Sequence, residues 1–177
     1  MDISSRIMNR LVQILTQECQ TNVPANDPSR VKRVQKGMFQ DDPSEWSPVV
    51  AVHRNYHDAQ SVRGGWFDER IRREIGVAIG APAIEQWYRR FTVEVIVWPE
   101  GLNQDEAEEL NSQVVGRVRR VLTKADMSDL EDDFGERVIV GINPVVMMGS
   151  RESGGPDDEY AWRTILFLEY VTEHVPD

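Results

Sequence analysis

A stretch of period two gives way, between Val97 and Asn103, to a period near 3.6, and this switch restricts the chain more than any other feature. From Trp87 to Val97, the side chains Trp87, Phe91, Val93, Val95 and Val97 alternate with Tyr88, Arg90, Thr92, Glu94 and Ile96. Successive residues of a strand point to opposite faces, so the pattern predicts a strand with one mostly apolar face, on which Arg89 is the misfit. Pro99-Glu100-Gly101 turns the chain, and Asn103 with Glu106 makes an asparagine variant of the capping box. A long helix begins there. Ala107, Leu110, Val114, Val118, Val121 and Leu122 form its apolar stripe. Acid at its start and Arg117, Arg119, Arg120 and Lys124 at its end complement the macrodipole.

Other elements arrange themselves around this unit. Ile3, Ile7, Leu11, Ile14 and Leu15 recur at three- and four-residue spacings and predict an amphipathic helix, capped by Asp2 or Ser4 and ending near Gln20 before Pro24. Arg30 to Phe39 reads as a basic, exposed strand, and Val49 to Tyr56 as a β-branched one after an Asp/Pro/Ser loop. Residues 57–82 read as an insertion or arm with Gly64-Gly65, Trp66-Phe67 and a short helix from Asp68 to Ile79. An acidic loop from Asp126 to Glu136 precedes a strand at Arg137 to Asn143, and Pro144 limits pairing beyond it. Ser150 to Asp158 reads as a mobile loop. The last strand, Trp162 to Thr172, has Leu166 and Leu168 on one face and Ile165 and Phe167 on the other, so both faces should be covered. The order predicts one α+β domain: a mainly antiparallel sheet of four to five strands, with two main helices on one face.

Composition narrows the function. At 177 residues, 40% hydrophobic and 28% charged, the chain is long enough for one sizeable core. The net charge of -10 makes broad nucleic-acid coating unfavourable. It is also segregated: Met1 to Arg90 holds 13 basic and 11 acidic residues, and Phe91 to Asp177 holds 7 and 19, giving +2 and -12. No apolar run approaches the ~18 residues that would span a bilayer, so no membrane partner is expected. One cysteine, Cys19, cannot make an internal disulfide.

No motif specifies chemistry. Asp133-Phe134-Gly135 spells a kinase tripeptide without the accompanying kinase loops. The acids between Asp126 and Glu136 lack EF-hand spacing and its turn glycine. His53 and His57 do not sit side by side off a helix, and no HExxH, GxSxG or P-loop is present. Catalytic, cofactor-binding and metal-ligating residues are therefore expected to be none. Arg30, Lys32, Arg33 and Lys36, with Arg63, Arg70, Arg72 and Arg73, form basic groups without an RNA-type stacking pattern. A charge-complementary contact between copies is the sharper use for them, since heterologous contacts close into rings.

In their order, the helix from Ile3 to Leu15, the strand from Pro48 to His53, the strand, turn and helix from Phe91 to Leu122, and the strands at Val138 to Ile142 and Trp162 to Val171 resemble a known family. It is that of the tail terminator, or tail-completion, proteins of long-tailed bacteriophages. These are small α+β proteins that form a hexameric ring between tail tube and head connector. The resemblance implies a structural virion protein of the tail or neck, assembled in the host cytoplasm. It would be without catalysis or cofactor, capping the tail tube and giving the head connector a docking surface. Genomic DNA would pass through the ring without specific binding. The insertion at 57–82 and the acidic stretch from Ser150 to Glu159 depart from the compact family pattern, so another neck adaptor subunit is an alternative, as is a small cytosolic enzyme. From exposed apolar and charged patterns, Arg63, Trp66, Phe67, Arg70, Arg72, Arg73, Ile165 and Phe167 are the expected subunit interface. Charge segregation makes Asp129, Glu131, Asp132, Asp133, Asp157, Asp158 and Glu159 the expected channel-facing acids.

Overall fold

The two periodicities resolve into one mixed sheet with two long helices on one of its faces, an α+β fold. The structure, a computed structural model, describes residues 3–39, 41, 43–54, 69–74, 84–98, 101–131, 135, 137–142, 146–153 and 161–174. In chain order these contain α1 (Ile3–Thr16) with a following π-helical turn (Gln17–Thr21), β1 (Arg33–Lys36), the short α2 (Pro43–Trp46), β2 (Val49–His53) and β3 (Glu69–Glu74). After them come β4 (Ile84–Val97), α3 (Gln104–Thr123), β5 (Ile139–Ile142), β6 (Val146–Ser153) and β7 (Ala161–His174).

β4 and β7, 14 residues each, pair antiparallel from Glu85 opposite His174 to Val97 opposite Trp162, a ladder of roughly 45 Å at the usual strand rise. The remaining strands border this ladder in halves. At one end the order is β1-β2-β4-β7-β6; at the other it is β3-β4-β7-β5. The sheet is thus five strands wide at one end and four at the other, matching the four to five expected.

Alternation then decides what meets the helices. Phe91, Val93, Val95 and Val97 of β4, Leu166, Leu168 and Tyr170 of β7, and Val50 and Val52 of β2 are all without exposed surface. They share one core with Ile7, Leu11 and Leu15 of α1 and Val114, Val118 and Leu122 of α3. Each such side chain contributes about 1.5–3 kcal/mol by leaving water. The start of α3 follows its sequence signal. Gly101, at φ +73°, makes the turn. Asn103 Oδ1 accepts from the Glu106 amide at 2.9 Å, and the Glu106 carboxylate accepts from the Asn103 amide at 3.0 Å. Asn103→Ala should cost about 1 kcal/mol, read as a fall of about 2–4 °C in Tm. An unchanged Tm would mean that packing alone holds the first turn.

Arg89, the misfit of the apolar face, is buried rather than exposed. Its Nε donates to Thr172 Oγ1 at 3.3 Å and its Nη1 to Ser4 Oγ at 3.5 Å, while the guanidinium lies 4.6 Å from the Trp87 ring centre. Ser4 is therefore a buried residue inside α1 and not its cap; Asp2 lies outside the described residues. A second buried pair joins the helix to the sheet, Asn111 Nδ2 donating to Thr164 Oγ1 at 3.1 Å. Satisfied polar groups of this kind select one packing arrangement, since any slip would leave them unpaired in a low dielectric.

Two expectations are corrected, and one pairing departs from the mainly antiparallel order. Glu69–Glu74, read as part of a helix, is a strand: the half of β4 not taken by β2 offers an edge that these residues pair with, through a register shift between Arg70 and Arg72. Val146–Ser153, read as the far side of a proline stop and the start of a loop, pairs with β7. Its own register shift, between Met147 and Gly149, interrupts the alternation by which a strand is recognised. Finally, β1 runs parallel to β2, with residues 37–48 and α2 serving as the crossover.

Candidate assembly surfaces

On the face away from the helices, β4 and β7 present paired charges. Arg163 meets Glu94 at 2.7 Å, Arg90 meets Glu169 at 2.7 Å, and Gln86 donates to Glu173 at 2.6 Å. Cross-strand pairs of this type are worth roughly 0.2–1 kcal/mol each and fix register. Between them His53, Thr92 and Phe167 are buried, whereas Ile165 is half-buried. Phe167 is 4% exposed within a single chain, so it has little surface left to bring to a subunit contact; Ile165 keeps some. Near the β1 end of this face, Phe39, Val49, Ala51, Ile96 and Ala161 form a second small apolar cluster with Trp98 against it.

The corner beside β1 carries an arginine-aromatic group, in which Trp46 is exposed and Phe39 buried. The Arg33 guanidinium lies 5.1 Å from the Trp46 ring centre and 5.8 Å from that of Phe39, and it pairs with Asp41 at 2.7 Å. Among the described residues, Trp46 at 40% and Leu102 at 37% are the large apolar side chains left exposed. A shallow cleft of about 270 Å³ at Leu102 is lined also by Pro28, Lys32, Ser47, Pro48, Trp98 and Leu110. The loop before β1 is tied to α3: Arg117 donates to the Ser29 carbonyl at 3.1 Å and to Asp27 at 3.2 Å. Hydrogen bonds from Ser29, and then the Arg117 guanidinium, hold the Asp27 carboxyl below its ordinary value. Sequence reading missed Trp46 and Leu102 because each stands alone in a polar loop.

Across the sheet lies the acidic stretch. Asp129 is 63% exposed at its side chain and pairs with Arg10 at 3.2 Å. Glu131, also exposed, is bridged through its backbone to Arg137 at the approach to β5. Hydrogen bonds from Ser128 hold the Asp126 carboxyl below its ordinary value. A cleft of about 520 Å³ lies behind this loop, lined by Asp126, Met127, Ser128, Arg137, Val140 and Tyr170, among others. Of the expected channel acids, Asp132, Asp133, Asp157, Asp158 and Glu159 lie outside the described residues. Of the expected interface, so do Arg63, Trp66 and Phe67, while Arg70, Arg72 and Arg73 belong to β3.

Nucleophilic chemistry finds no support at Cys19, whose thiol is pushed up to about 11 by burial and is therefore uncharged at neutral pH. Burial likewise raises the Tyr170 phenol. Among the described residues, no three His, Cys, Asp or Glu side chains are placed to hold a metal ion, and no helix is long and apolar enough to cross a membrane. No protein-family model matches the sequence, and comparison with curated proteins returns no match.

Proposed function

We propose that this chain is a structural subunit of a bacteriophage head-tail joint, a tail terminator that forms a ring on the tail tube and offers the head connector a docking surface. The observation that carries the reading is that the sheet ends in strands on both sides: β1 and β3 border it on one side, β5 and β6 on the other, and no described strand pairs beyond them. Edge strands present unpaired amides and carbonyls that accept a strand or segment of another chain. A subunit with two such edges can be joined on each side, as a ring demands. The resemblance of the sequence stretches named above to the tail terminators is what suggests this ring in particular. In this role the chain acts by assembly rather than catalysis. Exposed acids such as Asp129 and Glu131 would repel the phosphates of DNA threading the ring.

The test is the mass of the purified chain by light scattering across concentration and salt, with imaging of any large species. A closed ring of about six copies, formed alone or on added tail tubes, is the expected result. A strict monomer that neither closes nor binds tubes overturns it.

A further inference from the structure

Burial leaves the Tyr170 hydroxyl without a use in the fold. Tyr170 has no exposed surface, its ring is set edge-on to Phe91, and its phenol oxygen finds no hydrogen-bond partner among the described residues. Buried polar groups are satisfied in nearly every native structure, so this one calls for an explanation. The same residue lines the cleft of about 520 Å³ between β5 and the loop that follows α3. Register accounts for the apolar wall of that cleft. Val140 lies opposite Thr172 and Ile142 opposite Tyr170, so Val138, Val140 and Tyr170 share one face of the sheet. It is the face that carries the core, to which Val138 and Tyr170 belong and against which Val140 packs. The charges in the lining balance. Asp126 and Arg137 both border the cleft, and the Arg137 guanidinium, after Ser128 and Arg10, helps to hold the Asp126 carboxyl ionised. A charged ligand of either sign would be repelled by one of the two.

We infer that this cleft is a binding site for a small uncharged molecule with an apolar body and one acceptor oxygen, such as a ketone or an ester, which the Tyr170 hydroxyl holds. The phenol is a donor at every ordinary pH, because burial raises its ionisation further above neutrality. Met127, Val138 and Val140 supply the apolar contact. A cleft of this size, mostly apolar with a few polar groups, is the usual form of a small-molecule site. The hydroxyl lies beneath the surface, so a ligand reaches it only if a lining side chain yields. Met127, unbranched and with three rotatable bonds, is the one able to do so at low cost. The inference needs neither ring nor tail tube, and stands or falls apart from the assembly reading.

Acetophenone and ethylbenzene are probes of similar size and shape, of which only the ketone offers an acceptor; benzoate is the charged counterpart. Methyl-labelled methionine NMR follows Met127, its resonance assigned with Met127→Leu. Acetophenone should shift that resonance saturably, with a dissociation constant at least about threefold below those of ethylbenzene and benzoate, the scale of one net hydrogen bond. In Tyr170→Phe the ketone should lose its advantage over ethylbenzene, while ethylbenzene binds as before. The same variant should unfold at an unchanged or higher Tm, since it removes a polar atom that the chain leaves unsatisfied. A ketone advantage that survives Tyr170→Phe, benzoate binding as tightly as the ketone, or no saturable shift with any probe would overturn the site. So would a fall in Tm of more than about 4 °C in Tyr170→Phe, because it would mean that the hydroxyl is already bonded within the protein.

Discussion

Val114→Asp is expected to leave the chain unfolded under conditions where the unmodified protein is folded. Val114 has no exposed surface and sits on the stripe by which α3 meets both α1 and the sheet. A carboxylate there would either stay charged in an apolar surround or take up a proton at a free-energy cost, and in both cases it displaces packed methyl groups. Uncompensated buried charges cost about 3–5 kcal/mol, a large part of the 5–15 kcal/mol that holds a typical domain. Far-UV circular dichroism with a urea titration checks it. A cooperative transition at an unchanged midpoint would mean that α3 does not close this core.

Phe91→Ala should be nearly as damaging by a different route. Phe91 lies opposite Leu168 at the centre of the β4-β7 ladder, and its ring meets that of Tyr170 edge-on, with centres 5.9 Å apart and planes at 68°. Truncation removes the ring's transfer free energy and leaves a cavity in the shared core, a combination that costs about 3–5 kcal/mol. The edge-on contact, worth about 0.5–1.5 kcal/mol beyond area, goes with it. In urea the midpoint should fall by more than about 1 M, given slopes of about 1–3 kcal/mol per M for small domains. A shift under a third of that would show that neighbouring side chains collapse into the space.

What could be read from the sequence was what is local. The switch from β4 to α3 is written in alternation, a positive-φ glycine, a capping pair and a helical stripe, all within neighbouring residues. α1 and the two faces of β7 were legible for the same reason. β3 was not: Glu-Arg-Ile-Arg-Arg-Glu has no strand preference of its own and pairs because β4 leaves it an edge. β6 was hidden by its register shift, and the parallel pairing of β1 with β2 depends on where residues 37–48 take the chain. The candidate surfaces follow the same rule. The Arg33 and Trp46 contact joins residues on either side of a turn whose path no periodicity encodes.

The placement of β7 also governs how the molecule comes into being. Its partners in the central ladder precede it by more than sixty residues, from Val97 with Trp162 to Glu85 with His174. While the chain is being made, α1, β2, β4 and α3 are all outside the ribosome before the strand that completes their shared core exists. Until then β4 presents an unfilled edge beside an incomplete core, the condition in which nascent chains associate wrongly. Pairing over such separations is slow, because the entropy of closing a long loop is lost before any contact offsets it. Expression should therefore favour slow synthesis at low temperature, and yield would be lost first through the precursor that still lacks β7.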